Sequence, residues 1–237
     1  MVKKLTNLNN ADWFKELLTP FDPYNENGNL VSCCVPPIYE SYGKIFHRIE
    51  EDLAIVDRSL TWSESTNVDD FDTNSRQRIR WRDLAERLGL RMHPELNDES
   101  FFLGKSWYRY LFAPDAGILD EEDCRELVST IKSCCNTGPC YFLYDLMTTE
   151  NYESDLLFEG SLDDIFEVRN IEKVRASPTA WWPEDRRWFV HTDYDLTFTL
   201  VGGSEQLIDA LVASKVVECI KVNPGHRIDY RADKLNS

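Results

Sequence analysis

No stretch of this 237-residue chain approaches the ~18 consecutive apolar residues that a membrane-spanning helix requires, and its longest apolar runs are interrupted by charge. Basic side chains are scarce as well: 26 Lys and Arg stand against 42 Asp and Glu, a formal net charge of −16. A field of that sign repels phosphate backbones, which argues against a nucleic-acid partner, and it attracts a basic protein. Phosphate-binding loops are missing. Gly202-Gly203-Ser204 matches neither G-x-G-x-x-G nor G-x-x-x-x-G-K-[ST], and a tight turn with a serine cap accounts for it. Histidine occurs only at His47, His93, His191 and His226. The seven cysteines include no C-x-x-C, so zinc-finger spacing is absent. An odd cysteine count, with an N-terminus (MVKKLTNLNN) that lacks an apolar signal core, predicts a reduced, cytoplasmic protein, and the cysteine spacing predicts that folding needs no structural metal and no disulfide; no cofactor is expected.

What is present is the material of an ordinary folded chain. A hydrophobic share of 42% beside a charged share of 29% excludes wholesale disorder. The length is sufficient to bury a core without covalent staples. Residues 1–30 read as an N-terminal appendage: Trp13, Phe14, Leu17 and Leu18 recur at helical spacing behind Asn10 as a cap, and FDPYNENGN follows as a loop. Residues 31–237 read as a single α+β domain with a mixed, mainly antiparallel sheet and helices packed on it.

Within that domain Tyr42 to Ile49 alternates as a strand, although its three- and four-residue spacings also suit a helix. Thr61 to Ser75 is a polar, acidic loop. Ile79, Trp81, Leu84, Ala85 and Leu88 make an amphipathic helix closed by Gly89. Asp120 caps a second helix whose first turn is acidic and whose buried stripe is Leu127, Val128 and Ile131. Tyr141 to Met147, Leu156 to Phe158 and Ile165 to Val168 read as strands. Arg187 to Thr192 and Phe198 to Val201 form an antiparallel pair. After a Gly202-Gly203 turn, Ser204 caps a helix carrying Leu207, Ile208, Leu211 and Val212, and Lys215 to Val222 gives a last strand.

Chemistry concentrates between Ser177 and Leu211. Trp181 and Trp182, followed by Pro183, Glu184, Asp185, Arg186 and Trp188, are the residues of a rigid aromatic rim with a guanidinium free to clamp a carboxylate. The competing reading is a structural corner in which an arginine pairs with Glu184 or Asp185 while the indoles cover the core. His191, Asp193 and Asp195 stand two apart, so a continuous strand would project all three from one face. These nine residues are the candidate binding set. No nucleophile–base pair is complete, although a thiol with His47 or His191 as base is conceivable.

The run SPTAWWPEDRRWFVHTDYDLTFTLVGGS, with VPPIYESYGKIFH and WRDLAERLG upstream, resembles a group of uncharacterised bacterial proteins with a WWPEDR-W…D-D…VGGS signature, from about Val35 onward. That pattern often has a small residue at the place of His191 and a proline at the place of Arg48. Small acidic α+β proteins of this class are similar to immunity proteins of polymorphic toxin systems, which implies a basic toxin as partner, covered by an acidic face. The alternative is a small-molecule-binding protein or hydrolase with its site at the Trp181 to Asp195 rim.

Overall fold

The computed structural model describes residues 2–22, 28–65, 75–102, 106–135, 138–149, 152, 154–171, 173–174 and 176–236. Part of the acidic loop predicted over 61–75, including Asp69, Asp70 and Asp72, lies outside them. The strands are β1 (Lys3–Lys4), β2 (Ser41–Phe46), β3 (Ile49–Asp52), β4 (Arg76–Ile79), β5 (Leu111–Phe112), β6 (Cys140–Tyr144), β7 (Leu156–Gly160), β8 (Ala180–Pro183), β9 (Phe189–His191), β10 (Phe198–Gly203) and β11 (Glu218–Val222). The helices are α1 (Asp12–Lys15), α2 (Trp81–Leu88), α3 (Glu121–Cys134), α4 (Ile165–Val168) and α5 (Glu205–Ala213). Eight strands form one sheet in the order β1-β7-β6-β8-β9-β10-β2-β11, and β4-β3-β5 form a second. Every pairing between these strands is antiparallel, so the fold is α+β.

Alternation along the central strands explains the layers. Phe142, Trp181, Val190, Val201 and Cys219 point to one face, where α3, α4 and α5 supply Leu127, Ile131, Ile165, Leu207, Ile208 and Leu211. Leu143, Trp182, Phe189, Leu200 and Val222 point to the other, against Ala11, Phe14, Val31, Val35 and Ile228. Strands with apolar residues on both sides need cover on both sides. Here helices cover one face, and segments from both ends of the chain cover the other. The first thirty residues take part directly: Lys3–Lys4 pairs with β7, and the Phe14 ring lies 5.1 Å from Trp182 and 5.0 Å from Phe189. Asn10 belongs to a 3-10 turn ahead of α1 and makes no side-chain cap.

The second sheet joins the first through Phe46, which stacks on Trp81 at 4.5 Å. The start of α2 has no cap of its own. Instead the Glu218 carboxylate on β11 accepts from the backbone N–H groups of Trp81 (2.7 Å) and Arg82 (2.9 Å). Those are orphan donors at the positive end of a helix, so a buried carboxylate satisfies them and the dipole together. Arg48 ties the β2–β3 corner to α3 by bonding both carboxylate oxygens of Asp123 (3.2 and 2.7 Å), and Asp123 is fully buried.

Local signals held where they were self-contained. Asp120 accepts from Glu122 N–H, Ser204 accepts from Leu207 N–H, and Gly89 closes α2 in the left-handed region at φ 72°. Other expectations change. The strand expected over Tyr42 to Ile49 breaks after Phe46, where the chain turns into β3. Ile79 ends β4 and is not part of α2. Ile165–Val168 is a helical turn that continues from a 3-10 turn over Leu162–Asp164, in which Asp164 accepts from the Ser161 N–H and hydroxyl. Gly202 and Gly203 are the end of β10, not a turn. A Cβ on Gly202 would lie 2.5 Å from the Tyr39 ring and 2.8 Å from Val35, so the glycine permits close cover of the sheet.

His47, at the end of β2, is a core histidine. Its Nδ1–H donates to the Asp115 carbonyl (2.8 Å) and its Nε2 accepts from the Thr199 hydroxyl (3.0 Å). Burial pushes its pKa from 6.5 down to about 4. A depressed folded-state pKa contributes stability that is full above about 6.5 and is lost as pH falls through about 4. Urea unfolding at pH 7.5 and 4.5 should therefore show wild type losing roughly 2–3 kcal/mol more across that interval than His47→Gln, which keeps one donor and one acceptor.

Candidate functional site

The aromatic rim is interior. Trp181, Trp182 and Trp188 are each no more than 1% exposed. Being adjacent on β8, the first two face opposite layers, so they cannot form one wall. Trp181 meets Trp188 edge-on at 5.6 Å, and Trp182 stacks on Phe189 at 5.9 Å. Glu184, Asp185 and Arg186 are exposed on the β8–β9 hairpin, where Asp185 pairs with Arg187 (2.6 Å) and Arg186 lies over the Trp13 ring (4.7 Å). Arg186 is thus engaged with the N-terminal segment, away from His191.

The other three candidates separate differently. β9 ends at His191, and Asp193 and Asp195 lie in the turn before β10, so the expected single strand face does not form. Asp193 Oδ1 accepts from the Asp195 N–H (2.9 Å), which fixes the turn. In place of Asp195, the third group beside His191 is Cys34. One ligand-type atom from each of Cys34, His191 and Asp193 lies within 4.8 Å of the others. Cys34 follows a 3-10 turn over Val31–Cys33 that packs on the sheet face carrying Phe189 and His191.

Cys34 and Asp193 open onto a cavity of about 600 Å³. Its wall runs from Phe21 and Asp22 through the β9–β10 turn to the Arg227–Arg231 segment. Arg227 Nε donates to both oxygens of Asp229 (2.9 and 2.8 Å), and Asp229 accepts from the Asn29 N–H (2.8 Å). The cavity is therefore assembled from three parts of the chain that are distant in sequence: the N-terminal region, the β9–β10 turn and the 227–231 segment.

Electrostatics decide what the cluster does unaided. Burial drives the Cys34 thiol well above its ordinary range, with Asp193 adding to the rise. Burial also brings the His191 imidazole down to about 4, against a smaller upward pull from Asp145. Asp145 and Asp193 are both shifted up, first by burial; the Asp193 charge adds to the rise at Asp145, and the Asp195 charge adds to the rise at Asp193. A thiolate–imidazolium pair needs the opposite shifts on sulfur and nitrogen. At neutral pH the thiol keeps its proton and the imidazole is uncharged, so the trio is not a self-activated nucleophile. The Nδ1 of His191 is buried with no hydrogen-bond partner among the described residues.

Sequence reasoning found His191 and Asp193 but not Cys34, because 157 positions separate Cys34 from His191 and no spacing rule links them. The chain matches no protein-family model, no curated protein and no solved structure.

Brief alkylation of the native protein at neutral pH, mapped by mass spectrometry, should modify the half-exposed Cys33, Cys134 and Cys135 and spare Cys34, Cys124, Cys140 and Cys219. Labelling of Cys34 as fast as its neighbour Cys33 would contradict this account of the cluster.

Proposed function

We propose that this chain is a bacterial, cytoplasmic interaction protein of the immunity type, whose acidic face covers a basic toxin. The observation that carries the reading is the charge of the cavity. Among the described residues four carboxylates line it, from Asp22, Asp193, Asp195 and Asp229, against two guanidinium groups, from Arg227 and Arg231, a balance of −2 among them. One of the two cations is bonded to Asp229. This negative concavity sits on a molecule of net charge −16. Clefts lined by one sign of charge focus the field and speed the arrival of opposite charge. A protruding lysine or arginine of the partner has the length and sign to enter. The small-molecule reading loses the feature that motivated it, since the three tryptophans offer no wall to a ligand.

The acids chosen for a test matter. Glu121 and Glu122 are exposed on the first turn of α3, but Asp123 beside them is buried under Arg48 and Arg78, so reversing it would disturb the fold. Asp22 and Asp195 are exposed at the cavity mouth.

The product of the neighbouring reading frame is to be co-expressed for growth rescue, and its association followed across a salt series. Rescue should occur, the on-rate should fall as salt shortens the Debye length toward about 8 Å, and Asp22→Lys with Asp195→Lys should slow association roughly tenfold or more. Stability should change by no more than about 0.5 kcal/mol. Absence of rescue, or an on-rate indifferent to salt and to both reversals, would refute the proposal.

A further inference from the structure

Cys34, His191 and Asp193 bring together a sulfur, an imidazole nitrogen and a carboxylate oxygen with all three atoms inside 4.8 Å. Two features argue that this is a built arrangement and not a chance approach. His191 is 8% exposed, yet its Nδ1 meets no hydrogen-bond partner among the described residues. A buried polar atom left without a partner is unfavourable, so a group that engages it is expected. Asp193 is oriented by the Asp195 N–H on one of its oxygens, which leaves the other to turn toward the cluster. Outer contacts of this kind fix metal ligands in place.

We propose that Cys34, His191 and Asp193 bind a divalent cation of the zinc class. Donor chemistry selects the ion: thiolate and imidazole suit zinc, whereas calcium and magnesium take oxygen ligands. In a four-coordinate zinc site with bonds of about 2.0–2.3 Å, neighbouring ligand atoms stand ~3.5 Å apart, so an inward rotation of roughly 1 Å completes the set. The cavity lined by Cys34 and Asp193 leaves the fourth position open. Three protein ligands with an open fourth position is the coordination of zinc sites that hold a water or an incoming ligand, whereas structural zinc sites are closed by four. The site is independent of any protein partner and is tested without one.

The probe is the metal alone. Zinc titrated calorimetrically into chelator-treated full chain should bind at one ion per chain, and cobalt(II) in its place should give a thiolate-to-metal charge-transfer band. Cys34→Ser should abolish that band. Asp193→Asn, a change at a half-exposed turn residue, should weaken zinc binding by more than the roughly 10–100-fold that outer-shell substitutions cost, with the circular dichroism of the folded protein unchanged. Cys33→Ser and the double variant Cys134→Ser/Cys135→Ser should leave band and affinity as they are. No charge-transfer band in wild type, a band that survives Cys34→Ser, or zinc affinity unmoved by Asp193→Asn would each overturn the proposal.

Discussion

Two adjacent tryptophans on one strand impose the constraint that organises this molecule. Trp181 and Trp182 alternate across β8, and each is 1% exposed, so the central sheet must be covered on both faces at once. Each indole buries on the order of 200 Å², the largest apolar area a side chain offers. One layer comes from α3, α4 and α5, whose stripes meet the face of Trp181. The other has no long helix among the described residues. It is made from Phe14, the 31–42 segment and the chain around Ile228, pinned by such contacts as Tyr39 lying on Gly202. Because this second layer is patched from distant segments, it leaves the cavity between them.

What was legible beforehand follows from the range of the interactions. Asp120, Ser204 and Gly89 act on backbone groups within a few residues, so their roles are visible in short windows. The pairing of β9 with β10 follows from alternation and a short connection. Gly202 was misjudged because glycine marks turns and close approaches alike, and the ring that requires it belongs to Tyr39, far away in the chain. The tryptophan-rich motif left two readings open for a related reason: its composition suits a rim or a core, and the alternation of β8 between two filled layers decides for the structural corner, with Arg187 paired to Asp185 and the indoles in the core. Cys34 was invisible as a site residue because a cluster closed across the fold leaves no periodic trace.

Charge and chemistry lie on the same side of the sheet. The layer that carries His191 also holds Cys34, and the turn after β9 delivers Asp193 to the cavity mouth among other carboxylates. An acidic concavity with a soft donor at its floor suits cations of two scales, a partner's basic side chain at the mouth and a metal ion beneath. The same constraint links both to stability, since Cys34 and Ile228 line the cavity and also belong to the cluster that covers Trp182 and Phe189.

The most direct test of this doubly covered sheet is the stability of Phe14→Ala by chemical denaturation. Phe14 lies in the first thirty residues, is 4% exposed, and contacts both Trp182 and Phe189. A phenylalanine integral to a core costs about 3–5 kcal/mol on truncation to alanine, and that loss is predicted here. A change within about 0.5 kcal/mol, as at an unconstrained surface, would contradict the account and return the N-terminal segment to the status of an appendage.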